Sequence, residues 1–171
     1  MIDFTKSKQY TLSIRLSTDG FSFSIYNPIH DDSLSIIEKE IDTSLSLTAN
    51  LKAVFHESDF LNHPYKRVNI MMASKRFTIA PLDLFEEGQA ELLFYHNHQK
   101  RENETVLYNI LRKNNVAVIF GIDKSAQTFL NEQYPEARFY SQSTPFIDYF
   151  SVKSRLGNSK KMYASVRKRR Y

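Results

Sequence analysis

The sequence predicts an α/β domain with a mixed sheet. Two observations predict it: the chain opens on strands of alternating polarity, and after residue 46 helix-period and strand-like segments alternate. With 171 residues, 42% of them apolar, it is long enough to bury one sizeable core.

Residues 11–27, TLSIRLSTDGFSFSIYN, read as two strands joined by a two-residue Asp19-Gly20 turn of type I′, whose twist suits antiparallel strands. Pairing across that turn sets Leu16 against Phe23 and Ile14 against Ile25, with Leu12 on the same face. Ser17 then meets Ser22, Arg15 meets Ser24 and Ser13 meets Tyr26 on the other face, so one side is core and one polar. After the turn residues Asn27 to Asp32, SLSIIEKEI supplies a third strand, its alternation broken where Ile36 and Ile37 adjoin. In SLTANLKAVFHESDFL the period becomes helical: Leu47, Leu51, Val54, Phe55 and Leu61 share a stripe, Ser46 is the N-cap, and Asn62, His63 and Pro64 end it.

RVNIMMA and RFTIAP are strands separated by Ser74 and Lys75, and DLFEEGQAELLFYHN is a helix weakened by Gly88. ETVLYNIL and VAVIFGI are strands around the turn RKNN. Asp123 caps a helix through KSAQTFLNEQY that Pro135 stops; ARFYS is a short strand. Ser143 or Thr144, with Pro145 at the first helical position, starts PFIDYFSV, and KMYASVRKRRY alternates enough for a closing strand. Crossover helices between the later strands imply a parallel portion beside the antiparallel meander. A three-strand meander followed by parallel strands with crossover helices is the ribonuclease H-like arrangement, which is also half of every actin-like ATPase. The expected organisation is one such domain over residues 1–155, with 66–111 as an inserted or subdomain region within it and 156–171 as a basic tail.

Composition excludes several chemistries. The absence of cysteine removes disulfides, thiolate nucleophiles and cysteine-based zinc sites, and suits a reducing cytosol. MIDFTKSKQY has no apolar signal core and no window approaches a membrane span of roughly 20 apolar residues, so a cytoplasmic protein is expected. The net charge of +4 is local. Residues 149–171 hold Lys153, Arg155, Lys160, Lys161, Arg167, Lys168, Arg169 and Arg170 and no acid, while the other 148 residues have 15 basic against 19 acidic side chains.

LSIRLSTDGFSFSIYN, RVNIMMASKRFTIAPLDLFEE and VAVIFGIDKSAQTFLNEQYPEARFYSQSTPFIDYF together resemble a domain-of-unknown-function family of gut Gram-negative bacteria. That family is assigned an actin-like ATPase fold and is distantly similar to the cytoplasmic scaffolds of pilus assembly and type II secretion. The resemblance covers nearly the whole chain. It implies a longer protein with a second related half, of which KKMYASVRKRRY would be the first strand, and no catalytic signature.

Actin-like ATPases place an Asp near the end of the first strand to organise hydrated magnesium, then small residues whose amides approach phosphate. The candidates here are Ser17, Thr18, Asp19 and Gly20, with ATP and magnesium as the implied ligands. Laid on that pattern, however, Arg15 takes the Asp position and Ser17 that of the first Gly, while Asp19 falls at the turn. A ribonuclease H-type nuclease needs carboxylates converging on two metals. The first strand offers none, Glu57 and Asp59 lie on or past a helix, and Ser74 and Lys75 follow the next strand.

His96 and His98, in HNH, are the best metal candidates, but at a helix end two such rings diverge, and His30, His56 and His63 have no ligand spacing. Nucleic acid could be held by Arg167, Lys168, Arg169 and Arg170 with Lys160 and Lys161, and Tyr163 and Tyr171 could stack on bases. Ten tyrosines favour a protein-interaction surface. The expected function is a non-catalytic scaffold or interaction module on a degenerate actin-like fold, with a protein partner and no required cofactor or metal. The alternatives are a nucleotide-binding protein with little or no ATPase activity and a tail-mediated nucleic-acid binder.

Overall fold

A computed structural model describes residues 2–29 and 33–155. In chain order the elements are β1 (Thr11–Ser17), β2 (Gly20–Asn27), β3 (Ser33–Lys39), α1 (Leu47–Glu57), β4 (Arg67–Ala73), β5 (Phe77–Pro81), α2 (Ala90–Asn97), β6 (Glu104–Leu111), β7 (Val116–Asp123), α3 (Lys124–Gln133), β8 (Arg138–Ser141) and α4 (Ser143–Arg155). A five-stranded sheet has the order β3-β2-β1-β4-β8. Its first three strands are antiparallel neighbours, whereas β1 with β4 and β4 with β8 are parallel. A parallel neighbour needs a crossover, and α1 and α3 lie on those connections. The mixed sheet expected from the element order is therefore present.

The sheet's core face is set by alternation. Leu12, Ile14 and Leu16 of β1 are wholly buried with Phe21, Phe23 and Ile25 of β2 and Val68 and Ile70 of β4. Leu51, Val54 and Phe55 of α1 and Ala126 and Leu130 of α3 close over them. Fully burying one such Leu, Ile or Phe contributes about 1.5–3 kcal/mol, so this face carries the domain. Both predicted caps form: the Ser46 hydroxyl accepts from the Ala49 amide at 3.1 Å, and the Asp123 carboxylate accepts from that of Ala126 at 2.8 Å.

Four expectations are corrected. The hairpin pairs Leu16 with Phe21 and Ile14 with Phe23, so the turn residues are Thr18 and Asp19, and Gly20 opens β2 opposite Ser17. Each side chain keeps its expected face, because the shift is by two residues. Second, α1 stops at Glu57, and Leu61 reaches the core from a separate 3-10 turn, Asp59–Asn62. Third, of the segment expected as one helix after β5, only α2 is α-helical, behind the 3-10 turns Leu82–Leu84 and Glu87–Gln89, and α4 begins at Ser143, leaving Pro145 as its third residue.

The fourth concerns the insertion expected over 66–111. β4 belongs to the five-stranded sheet, and VAVIFGI leaves it: β7 is the middle of a second, antiparallel sheet ordered β5-β7-β6. The excursion thus runs from the end of β4 to the start of α3. Residues 117–122 are all buried, and such a run reads alike for a parallel core strand and for the covered middle strand of a small sheet. Ala80, Ala90, Phe94 and Ile119 form this sheet's own core with Phe85, Leu93 and Val106. At its rim Arg76 donates to both Glu104 oxygens, at 3.0 and 2.8 Å, and Gly121 leaves room for that carboxylate, since a Cβ there would lie 2.5 Å from Oε1. The expected closing strand lies outside the described residues.

One side chain ties the two sheets. Asn109 of β6 donates its amide to the Phe139 carbonyl at 2.9 Å, and its oxygen accepts from the Ser141 amide at 3.0 Å and the Thr144 hydroxyl at 2.7 Å. It therefore hydrogen-bonds β8 on the edge that β4 does not use and holds the Thr144 side chain at the start of α4 as well. Asn109→Ala should cost about 1–3 kcal/mol by stranding these groups, read as a lower melting temperature with faster amide exchange in β8 than in β2. A second prediction concerns alkali. Burial pushes the Tyr65 phenol up to about 12 and raises that of Tyr134 too. Their hydroxyls donate to the Phe60 and Leu61 carbonyls at 2.7 and 2.6 Å. A raised folded-state pKa stabilises below the ordinary tyrosine value of about 10 and is lost above it. Stability should hold to about pH 10 and fall by pH 12, and replacing both tyrosines by phenylalanine should flatten that fall.

Candidate functional site

The parallel strands end together. Ser17, the last residue of β1, is level with Ala73 at the end of β4, and Met72 is level with Ser141 at the end of β8. The carboxyl edge of such strands is where open α/β sheets receive ligands. The Thr18-Asp19 turn and the amino end of α4 lie on this edge because each directly follows a strand that ends there.

The four predicted residues are brought together at the hairpin tip, but Ser17 and Gly20 are taken up by contacts within the protein. Ser17 is buried, and its hydroxyl donates to the Asp19 carboxylate. Thr18 and Asp19 are exposed. Gly20 has φ +149°, and a Cβ built on it would stand 2.8 Å from the Lys39 carbonyl oxygen of β3. Glycine is needed here so that β3 can pass, whereas a phosphate cradle needs open space over the glycine. Arg15 lies one alternation back on the polar face, paired with Ser22 and Met71, and its guanidinium donates to the Gln142 side-chain oxygen at 3.3 Å. Gln142 is held by its own amide, which donates to the Met72 carbonyl at 2.9 Å.

The helix amino ends are engaged as well. Asp123, besides capping α3, accepts from Thr48 of α1 at 3.4 Å and from the Asn103 amide at 2.9 Å. At the start of α4 the Ser143 amide donates to the Ser141 hydroxyl at 3.2 Å. These donors would face an anion only after giving up partners within the protein.

The other candidates are dispersed. His98 lies tilted against Phe94 with ring centroids 4.6 Å apart, and its Nε2 lies 3.3 Å from the Thr78 hydroxyl and 3.1 Å from the Phe77 carbonyl. His96 instead lines an open groove of about 500 Å³ on α2, with Gly88, Glu91, Leu92 and Tyr95. Beside that groove partial burial, then the Glu104 carboxylate, holds the Tyr95 phenol above its ordinary range. Asp59 is 3.5 Å from His63, Ser74 accepts from the Arg76 amide at 3.0 Å, and Glu57 ends α1. Among the described residues no three His, Asp or Glu side chains converge as a metal site would require. His30 and the tail residues Lys160, Lys161, Tyr163, Arg167, Lys168, Arg169, Arg170 and Tyr171 lie outside the described residues. Sequence reasoning missed Gln142, Asn109 and Lys39. Nothing local marks them, because each acts on a strand it meets only in the folded sheet.

A family model described as Protein of unknown function (DUF3822) matches residues 1–171. A crystal structure at 1.85 Å from Bacteroides thetaiotaomicron VPI-5482, described as a protein with actin-like ATPase fold and unknown function, superposes with a TM-score of 0.90 at 83% identity. The match covers 98% of this chain and 65% of that one, so the chain spans just under two thirds of its neighbour's length. No curated protein matches. The expected family and the actin-like fold are thereby shown.

Gly20→Ala should destabilise by about 1–3 kcal/mol, from the positive φ and the clash with β3, while Thr18→Ala on the exposed turn stays within about 0.5 kcal/mol. Urea melts of the two variants check this; equal midpoints would mean the β3 backbone yields.

Proposed function

The chain belongs to the DUF3822 family of proteins of unknown function, and on that premise we propose that it is a non-catalytic scaffold or protein-interaction module built on an actin-like fold. One observation carries the reading. Where phosphoryl chemistry on this fold wants a carboxylate to organise hydrated magnesium, the chain has Arg15, held by Gln142. A fixed cation there repels the metal that the reaction depends on. The hairpin tip supports the same reading, because Ser17 is spent on Asp19 and Gly20 is covered by β3. A cytoplasmic location belongs to the proposal and rests on the lack of cysteine. Among the described residues no helix is long and apolar enough to cross a membrane.

A nucleotide that binds the folded state at a hundred times its Kd adds about 2.7 kcal/mol, or roughly 5–10 °C in a domain of this size. With millimolar ATP or ADP and magnesium the melting temperature should move by less than about 1 °C. A saturable rise that is lost when Thr18 and Asp19 are replaced by alanine would overturn the reading in favour of nucleotide binding.

A further inference from the structure

The outer edge of a sheet presents a row of backbone N–H and C=O groups that can pair with another strand. The edges of this fold are treated unequally. β8 is four residues long and Asn109 of β6 takes its outer side, while β5 is five residues long and ends in Pro81. β3 is different. Its seven residues pair with β2 without a bulge, from Phe21 with Lys39 to Asn27 with Ser33, and among the described residues no other strand pairs with it. It contains no proline, and its one lysine stands at its last position. A very short edge, a bulge, a proline or a central lysine is the usual guard against strand addition, and β3 has none of these. Its side chains offer contact on both faces. Leu34 and Ile36, on the side of the sheet away from the core, are 55 and 62% exposed, and Tyr26 of β2 stands opposite Leu34. On the core side Ile37 packs against the buried cluster. A strand laid along β3 would extend the ladder, cover Leu34 and Ile36, and lengthen the core edge at Ile37.

Charge says which kind of strand fits. Residues 31–42 hold Asp31, Asp32, Glu38, Glu40 and Asp42 against Lys39 alone, and in sequence these acids flank Leu34 to Ile37 on both sides. A second copy, in either orientation, would therefore bring acid to acid. A strand with lysine or arginine at its ends meets opposite charge instead. We propose that β3 is a docking edge for β-strand addition, and that its partner is an extended segment of another protein with alternating apolar residues between basic ends. This rests on the interaction-module reading and names its surface. The nucleotide melts decide that reading without any peptide, so the two can fail separately.

The probe is a synthetic peptide of alternating valine and threonine with lysines at both ends. Added to the full chain, it should slow amide exchange at the outward-facing positions of β3 by about tenfold or more and leave β8 unchanged. Successive backbone groups of a strand point to opposite edges, so N-methylation of alternate peptide residues blocks one edge and spares the other. Of two peptides methylated on opposite edges, one should lose binding and the other keep it. Glutamates in place of the terminal lysines should weaken binding by about tenfold or more, and so should Ile36→Lys, an exposed change that leaves the pairing with β2 in place. No protection of β3 at millimolar peptide, protection of another strand instead, or equal binding by the two methylated peptides would each overturn the proposal. So would protection of β3 that rises with protein concentration in the absence of peptide, because a second copy would then be the occupant.

Discussion

Everything in this fold hangs on β1, which is paired along its whole length on both edges, antiparallel to β2 and parallel to β4. A strand held on both sides cannot slip by one residue without turning Leu12, Ile14 and Leu16 out of the core. That constraint also settles the polar face. Arg15 and Ser17 are where they are because the core claims the residues between them. The guanidinium then meets Gln142 only because β8 is two strands away in the same sheet.

The same arrangement explains why the carboxyl edge looks like a ligand site while several of its polar groups are engaged within the fold. Parallel strands bring a hairpin turn and helix amino ends to one edge whatever the residues are, since connectivity alone does that. Whether the edge can hold a phosphate and a metal depends on which groups remain unspent there. In this chain Ser17, Asp123 and Ser143 serve as internal caps and tethers, and β3 lies against Gly20. Polar groups that the fold uses for its own stability must be released before they can serve a ligand, and each release costs about a hydrogen bond.

The excursion between β4 and α3 is secured by polar contacts at two points, the Arg76–Glu104 pair at its rim and Asn109 against β8. Both are largely withdrawn from water, where leaving one member unpaired is expensive; the ion pair ties the small sheet's own rim, and Asn109 sets its place against β8. Neither residue stands out in the sequence: Arg76 follows a lysine at a strand end and Asn109 interrupts an apolar strand. Their partners are 28 and about 30 residues away along the chain.

The sequence by itself determined what depends on local periodicity and chain stiffness. The alternation of residues 11–27 assigned each side chain to its face, Ser46 and Asp123 marked where helices begin, Pro135 stopped α3, and the order of elements implied the mixed sheet. Laid on the pattern of actin-like ATPases, the sequence also sets Arg15 where a carboxylate is expected. Only the tertiary structure decided what depends on partners distant in sequence. The hairpin register differs by two residues from the one read off the Asp-Gly pair, and a shift of two leaves the polarity pattern identical, so nothing local separates the alternatives. The observed register sets Gly20 opposite Ser17 and beside β3, where a Cβ at position 20 would stand 2.8 Å from the Lys39 carbonyl oxygen. Likewise VAVIFGI is equally apolar in either sheet, and its place beside β5 and β6 follows from which edges the fold leaves to be paired.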